Sequence, residues 1–566
     1  MAYAITQACC ADASCVAVCP VDCIHPTPDE PDFGTTEMLY VDAGVCIDCG
    51  ACADACPVDA IKPIDLLRGG EEVFAQLNAD FYIENPQYSG GSHESAPTTF
   101  VDAAYAGERP LRIAIVGTGP AASYAARFLL TGTDSRISML DRLPLPGGLV
   151  RAGVAPDHVD TKRFGEQFAW AYSHPRTTML MNVDVGEDIT HDELLEYHDA
   201  VIYAVGAHQS RPLGISGEEL DGVYAAPDVV GWYNGDPDIG ADAVDVRPGR
   251  VVIVGNGNVA LDIARILLED RDRLAATDMA DYALDALRGC DVREVVLMAR
   301  RGPEHAAFTR PELLMMPDGI ELLVADDPRT AATLDAAEEG TKAALLADLP
   351  RISWPASPDN PDSPDSPDNS DSLDSPESAA EPPAGKRRIV MAFHSTVDRA
   401  EGPGRIEHLT ISGPEGHTYG LPAQTLVRST GHRGAPVADL PFDEASATVP
   451  NSSGRVMDPA SGAAIPGAYV VGWIKRGASG GIGVNRGCAT ETIRTMLSDS
   501  ARGELTPPQK SPRQLTSLLR RRTGSLITRR RMQAIDRAER KRGRHEGRPR
   551  VKFTTRSSLL SAGRRR

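Results

Sequence analysis

Apolar positions along the chain fall in short runs broken by glycine turns, the rhythm of alternating strands and helices. The run LRIAIV leads through GTGP into AASYAARFLL across 111–130, and RVVIVGNGNVALDIARILL repeats that strand–turn–helix succession across 250–268. Further strand-like runs follow in DAVIYAVGA (199–207), RRIVMAFHS (387–395) and GAYVVGWI (467–474). Residues 355–385 are almost entirely Pro, Ser, Asp and Asn, so this stretch is expected to be a disordered insertion inside the second unit. No apolar run reaches 18 residues, so no transmembrane span is expected. The opening MAYAITQACC lacks a basic segment followed by an apolar run, so no signal peptide is expected either. A cytoplasmic protein follows from these readings.

Composition adds that 566 residues exceed one domain, and that 42% hydrophobic content with 52 glycines suits globular α/β material. The net charge of −21 hides two opposite parts. Residues 501–566 carry 21 Lys or Arg against 4 Asp or Glu, while residues 1–500 carry 37 against 75. The basic tail and acidic body should attract each other at low salt.

Nine of the 11 cysteines lie in the first 56 residues. Clustered cysteines in a reducing compartment read as metal ligands rather than disulfides. VCIDCGACADACPVDAI (45–61) overlays ACCADASCVAVCPVDCI (8–24), placing Cys46, Cys49, Cys52 and Cys56 on Cys9, Asp12, Cys15 and Cys19. The second run has the C-x2-C-x2-C-x3-C-P spacing of bacterial ferredoxins, in which the fourth cysteine crosses to the other cluster. Cys46, Cys49, Cys52 and Cys19 should then hold a 4Fe–4S cluster. Cys9, Cys15 and Cys56 are left with Asp12 at the missing corner. Either three thiolates hold a 3Fe–4S cluster, or Asp12 supplies an oxygen ligand to a fourth iron. Zinc fits poorly, since each zinc site needs a closed set of four ligands. Cys10 and Cys23 are extra to the repeat and read as small buried side chains.

The two glycine turns differ in charge. Gly117, Gly119 and Ala122 follow a strand and open a helix, and Asp141 ends the next strand 24 residues after Gly117. A carboxylate there can bind ribose hydroxyls and repels a 2′-phosphate, so this turn suits FAD or NAD. Gly255, Gly257 and Ala260 open the second unit, whose next strand ends in Arg300 and Arg301. Guanidinium pairs bind phosphate, so this turn should take NADP(H). A flavin site, a nicotinamide site and iron–sulfur centres on one chain imply a sequence of electron carriers.

VGTGPAA (116–122), GLVRAGVAPDH (148–158), GNGNVALD (255–262), ARRGP (299–303) and GWIKRGASGGIG (472–483) give the region 110–500 its resemblance to the adrenodoxin reductase-like branch of ferredoxin–NADP(+) reductases. Residues 1–66 resemble seven-iron bacterial ferredoxins, and the whole chain is similar to bacterial ferredoxin/ferredoxin–NADP reductase fusions. The resemblance implies that Ala121, Asp141, Leu149, Val185, Trp473, Gly480, Gly481 and Ile482 line the FAD site with Gly117 and Gly119. It places Asn256, Gly257, Asn258 and Val259 on the NADP pyrophosphate, Arg300 and Arg301 on the 2′-phosphate, Glu312 and Arg211 nearby, and Gly480 against both cofactors. ASGGIG departs from the family's usual Pro-Thr-Gly and its bulkier residue before Ile. Asp157 and His158 could form an acid–base pair or simply order the chain.

The expected fold is therefore α/β: a ferredoxin-like α+β domain (1–66), a linker (67–109), a Rossmann-like FAD domain (110–245 and 392–500), a Rossmann-like NADP domain (246–391) and a basic extension (501–566). The expected activity is NADPH:ferredoxin oxidoreduction, with a ferredoxin or P450-type acceptor and either direction of flow open. A glutamate synthase small-chain-like subunit and a redox-sensing nucleic-acid-binding protein are the alternatives. For the basic extension, a clamp on an acidic partner, nucleic-acid binding and a solubilising tail compete. The near absence of aromatics weakens the single-strand form of the nucleic-acid reading.

Overall fold

The strand Arg112–Val116 lies inside an eight-stranded sheet, in a computed structural model that describes residues 2–89, 109–247, 249–338, 340–353 and 386–564. Its parallel centre runs Ala464–Val470, Ala200–Tyr203, Arg112–Val116, Arg136–Asp141 and Thr177–Met181. These strands are apolar almost without interruption, as strands buried on both faces must be. The seven-stranded sheet of the second unit is parallel throughout. Its order is Val223–Ala225, Thr425–Arg428, Gly249–Val254, Val292–Met298, Arg387–Ala392, Ile320–Asp326, Arg351–Ser353. The insertion 355–385 lies outside the described residues. Among the described residues, no helix is long and apolar enough to cross a membrane.

The chain divides into two units, but not at the expected boundaries. One takes residues up to Val154, His158–Gln209 and everything from His432; the other takes Ala155–Asp157 and Ser210–Gly431. Expected breaks near 245 and 391 overlooked strand pairing. Val223–Ala225 pairs with Thr425–Arg428, which pairs with Gly249–Val254. The antiparallel sheet Thr396–Glu401, His408–Ser412, Thr418–Pro422 also packs here, through Leu409 and Ile411 against Val252 and Val296.

The N-terminal region pairs Tyr3–Ile5 with Ile61–Pro63, and Ile24–His25 with Tyr40–Val41. It does not stop at residue 66, because the expected linker begins with a helix, Val73–Glu84, whose Phe74, Leu77 and Phe81 are buried. Asn78 on this helix bridges both strand pairs. Its Oδ1 accepts from Ile5 N–H (3.1 Å) and Val41 N–H (2.8 Å), and its amide donates to Ile5 O (2.8 Å).

The basic extension is a folded part of the first unit rather than an appended tail. Helices Pro512–Thr523 and Arg529–Glu546 flank Ile527–Thr528, which adds an antiparallel edge strand beside Thr177–Met181. Leu515, Leu519 and Leu526 enter the same core as Val116 and Val201. The apolar residues stand at helical spacing behind a dense run of arginines, which dominated the sequence pattern.

Candidate functional site: cysteine-lined loops and two dinucleotide turns

The duplicated cysteine runs fold as duplicates. Cys19 follows the turn Val16–Val18, and Cys56 follows the helix Ala51–Ala55, each at φ −72°, ψ 119°. Ala11 (φ 52°) and Ala13 (φ 60°) flank Asp12, just as Asp48 (φ 61°) and Gly50 (φ 73°) flank Cys49. Positive φ is uncommon outside glycine, so Asp12 occupies the backbone position of Cys49. One cavity is lined by Cys9, Cys10, Asp12, Cys15 and Cys56. Cys52 instead has Cys19, Cys46 and Cys49 as its charged neighbours. The two fourth cysteines are thus exchanged between the runs. Burial pushes the Cys9 and Cys52 thiols up to about 11, so a cation is needed to hold them as thiolates. These donors fit iron–sulfur clusters. Cys23 is buried beside Cys19 (Sγ–Sγ 3.4 Å) and Cys10 is half-buried.

The first dinucleotide turn has the geometry a pyrophosphate requires. A Cβ on Gly117 (φ 103°) would lie 2.4 Å from Ala204 O, so only glycine fits. At Gly119 nothing approaches within 4 Å of that position, leaving open space where the helix Pro120–Gly132 begins without a side-chain cap. Its uncapped N–H groups can take phosphate oxygens. Asp141 ends its strand with Oδ2 accepting from Thr118 Oγ1 (2.5 Å) and Oδ1 from Leu143 N–H (2.9 Å). Burial pushes this carboxyl up, opposed by those hydrogen bonds. A Cβ on Gly472 would lie 2.7 Å from Ala121 Cβ, which brings the Trp473 segment to the start of the same helix. Trp473 donates to Ser479 O (2.9 Å), and His432 stands 5.4 Å from its ring. Gly480 and Gly481 are exposed, Ile482 half-buried, and no atom lies within 4 Å of a Gly481 Cβ position. Leu149 is exposed at the head of Leu149–Ala152, and Val185 bridges Ile189. The arrangement fits a flavin dinucleotide.

The second turn repeats the design. A Cβ on Gly255 (φ 124°) would lie 2.2 Å from Ser429 O, while that of Gly257 meets only Ala307 at 3.9 Å. The helix Asn258–Leu268 likewise starts uncapped, with Val259 half-buried in its first turn. Asn256 Oδ1 accepts from Ala307 N–H (3.3 Å) and Asn258 Oδ1 from Thr309 N–H (2.8 Å), fixing the neighbouring loop. Arg300 and Arg301 follow the adjacent strand, exposed and without an ion-pair partner among the described residues. This donor set fits a phosphorylated nicotinamide dinucleotide. Arg211 is exposed and its carbonyl accepts from Thr430.

Glu312 and Asp157 are otherwise engaged. Buried Arg265 binds Asp157 (2.6 Å), Asp262 (2.6 Å) and Glu312 (3.0 Å). Burial opposes the Arg265 charge, but these three carboxylates hold it protonated. His158 precedes the helix Val159–Ser173 at its N-cap position. Sequence reasoning missed Thr118, His432, Tyr124 and Arg486. Only Thr118 had a local signal, as the residue between the two glycines of its turn.

Comparisons with known proteins show the family and the domains that the chain resembles. The family described as "4Fe-4S binding domain" matches residues 39–62, and "Pyridine nucleotide-disulphide oxidoreductase" matches residues 111–301. The chain is 43% identical to a "Probable ferredoxin/ferredoxin--NADP reductase" of Mycobacterium tuberculosis, covering 99% of this chain and 95% of the relative. It is 40% identical to the "NADPH-ferredoxin reductase FprA" of that organism over 80% of this chain and 99% of the relative. The solved structure of that FprA in complex with NADPH superposes with a TM-score of 0.68 at 38% identity, covering 80% of this chain and 100% of the other.

Proposed function

We propose the following division of labour for this chain, which belongs to the ferredoxin/ferredoxin–NADP reductase family. It is an oxidoreductase that moves electrons between NADPH and ferredoxin. The observation that carries the assignment of partners is the contrast between Asp141 and the Arg300–Arg301 pair at equivalent strand ends.

Gly117, Gly119, Ala121, Asp141, Leu149, Val185, Trp473, Gly480, Gly481 and Ile482 would hold FAD. The carboxylate of Asp141 would bind ribose hydroxyls, and the uncapped helix start at Gly119 the pyrophosphate. Asn256, Gly257, Asn258 and Val259 would cradle NADPH, with Arg300 and Arg301 on its 2′-phosphate and Arg211 nearby. Glu312 and Asp157 would orient this region through Arg265. FAD supplies the exchange of a two-electron hydride for single electrons, and iron–sulfur centres accept those singly.

Cys19, Cys46, Cys49 and Cys52 would hold a 4Fe–4S cluster, and Cys9, Cys15 and Cys56 a 3Fe–4S cluster. The N-terminal region carries 11 acidic side chains against one lysine over residues 1–65, a surface suited to basic acceptors such as a P450-type protein. The reduced thiols suit the cytoplasm.

Anaerobic NADPH titration of the full chain, followed by optical and EPR spectra together, tests the reading. Bleaching of a flavin band followed by a cluster signal is expected. A protein carrying neither chromophore, or one reduced equally well by NADH, would overturn it.

A further inference from the structure

The loop Cys9–Cys15 packs on the segment that follows the flavin-site glycines, and the junction centres on Asp12. Gly483 N–H donates to Cys10 O at 2.9 Å. A Cβ on Gly483 would lie 1.9 Å from Ala11 O and 2.5 Å from Asp12 N, so the two backbones meet with no space for a side chain. Buried Arg486, at the start of the helix Asn485–Ala501, donates to Asp12 O at 2.5 Å. The Asp12 side chain is also engaged. Oδ1 accepts from Ser14 N–H at 3.2 Å and from the Ser14 hydroxyl, and Oδ2 accepts from the hydroxyl of Tyr124. Tyr124 stands on the dinucleotide helix Pro120–Gly132, is 4% exposed and packs edge-on against Phe168 at 5.9 Å. Both oxygens of Asp12 are therefore committed to protein donors.

We propose that Asp12 is a docking residue rather than an iron ligand: with Tyr124, Arg486 and Gly483 it fixes the three-cysteine site as the one facing the flavin domain. The proposal rests on the iron–sulfur reading above. It also explains the substitution in the repeat. A cysteine at position 12 would face the flavin domain, whereas its counterpart Cys49 is exposed beside Ile47, which is 58% exposed. The four-cysteine site is thereby left at the open face, where an outside acceptor can approach. A buried, fully hydrogen-bonded carboxylate is costly to strip of one donor, which is what a docking contact needs.

The test compares the full chain, anaerobically prepared with its clusters, with Tyr124→Phe, Asp12→Ala and Gly483→Ala. Iron and acid-labile sulfide per chain, EPR spectra, and amide hydrogen exchange over residues 9–15 and 480–486 are measured. Tyr124→Phe and Asp12→Ala should keep the wild-type iron, sulfide and EPR signals. Exchange in both segments should rise about tenfold or more, the effect of losing one hydrogen bond to a charged group. Gly483→Ala should raise exchange in the same two segments. Tyr124→Phe should also reduce its clusters more slowly with NADPH at unchanged ferricyanide turnover. Loss of iron from Asp12→Ala would make Asp12 a ligand and overturn the proposal, as would unchanged exchange in all three variants. A wild-type protein without cluster signals would retire the iron–sulfur reading instead, and the exchange measurements would still decide the docking role.

Discussion

Arg151 and Glu539 form a 2.7 Å ion pair across 388 residues of sequence, and Glu539 is fully buried. Arg550 (3.1 Å) and the Phe553 N–H (3.0 Å) also bind this carboxylate. The extension thus grips the GLVRAG segment beside Leu149. Arg522 pairs with Glu193, Lys510 with Glu196 and Arg540 with Glu166 in the same way at the surface. The acidic partner that the charge asymmetry called for includes the extension's own domain.

Glu539→Ala removes a fully buried carboxylate from half-buried Arg151, while Arg550 keeps Asp536 (2.9 Å), and losing such charged hydrogen bonds costs about 1.5–3 kcal/mol. Thermal unfolding followed by release of flavin fluorescence should shift clearly downward. A chain ending at residue 504 should be destabilised at least as much. An unchanged melting temperature in both would show that the extension is dispensable to the domain.

The Arg300–Arg301 pair predicts cofactor choice. Arg300→Ala and Arg301→Ala should each raise the KM for NADPH by about tenfold, from the lost charged hydrogen bonds, while KM for NADH stays near its starting value. Steady-state kinetics with both nucleotides reads this directly. Equal losses with both would place the arginines elsewhere in the reaction.

The exchange of cysteines between the runs predicts crossed phenotypes. Cys56→Ala should abolish the signal of the Cys9–Cys15 site and spare the other, although Cys56 follows Cys52 in sequence. Cys19→Ala should do the reverse. EPR of the oxidised and reduced proteins distinguishes them. If Cys56→Ala instead damages the site of Cys46, Cys49 and Cys52, the pairing is wrong.

His198 predicts a pH dependence of the flavin domain. Its ring nitrogens sit 2.9 Å from Leu194 O and 2.9 Å from Ser138 Oγ, and burial pushes its pKa down to about 4. The folded state therefore favours the neutral ring. Stability is fully present above the unfolded value of about 6.5 and is lost as pH falls toward 4, by on the order of 2 kcal/mol at pH 5. His198→Gln should flatten the denaturant midpoint between pH 6.5 and 4.5 relative to wild type. An equally steep profile would assign the acid sensitivity to other groups.

The chemistry of this protein was legible wherever it resides in contiguous spacing. The cysteine runs, the glycine turns with Asp141, and the arginines closing the second unit's strand are local patterns, because ligand geometry and phosphate approach dictate residue type within a few positions. Long-range pairing had no such signal. That Thr425–Arg428 joins Val223–Ala225 to the second sheet, or that Asn78 ties a supposed linker to two strand pairs, depends on contacts 37 to 203 residues apart.

Residue order alone sets what each half of the repeat carries and which strand end bears which charge. Packing of distant segments sets the rest: Asp12 turns to Tyr124, Glu312 and Asp157 surround Arg265, and the arginine-rich end of the chain folds around buried leucines. Those outcomes follow from desolvation, since a charge removed from water takes whichever partner the packed chain brings to it, and sequence distance does not limit that choice.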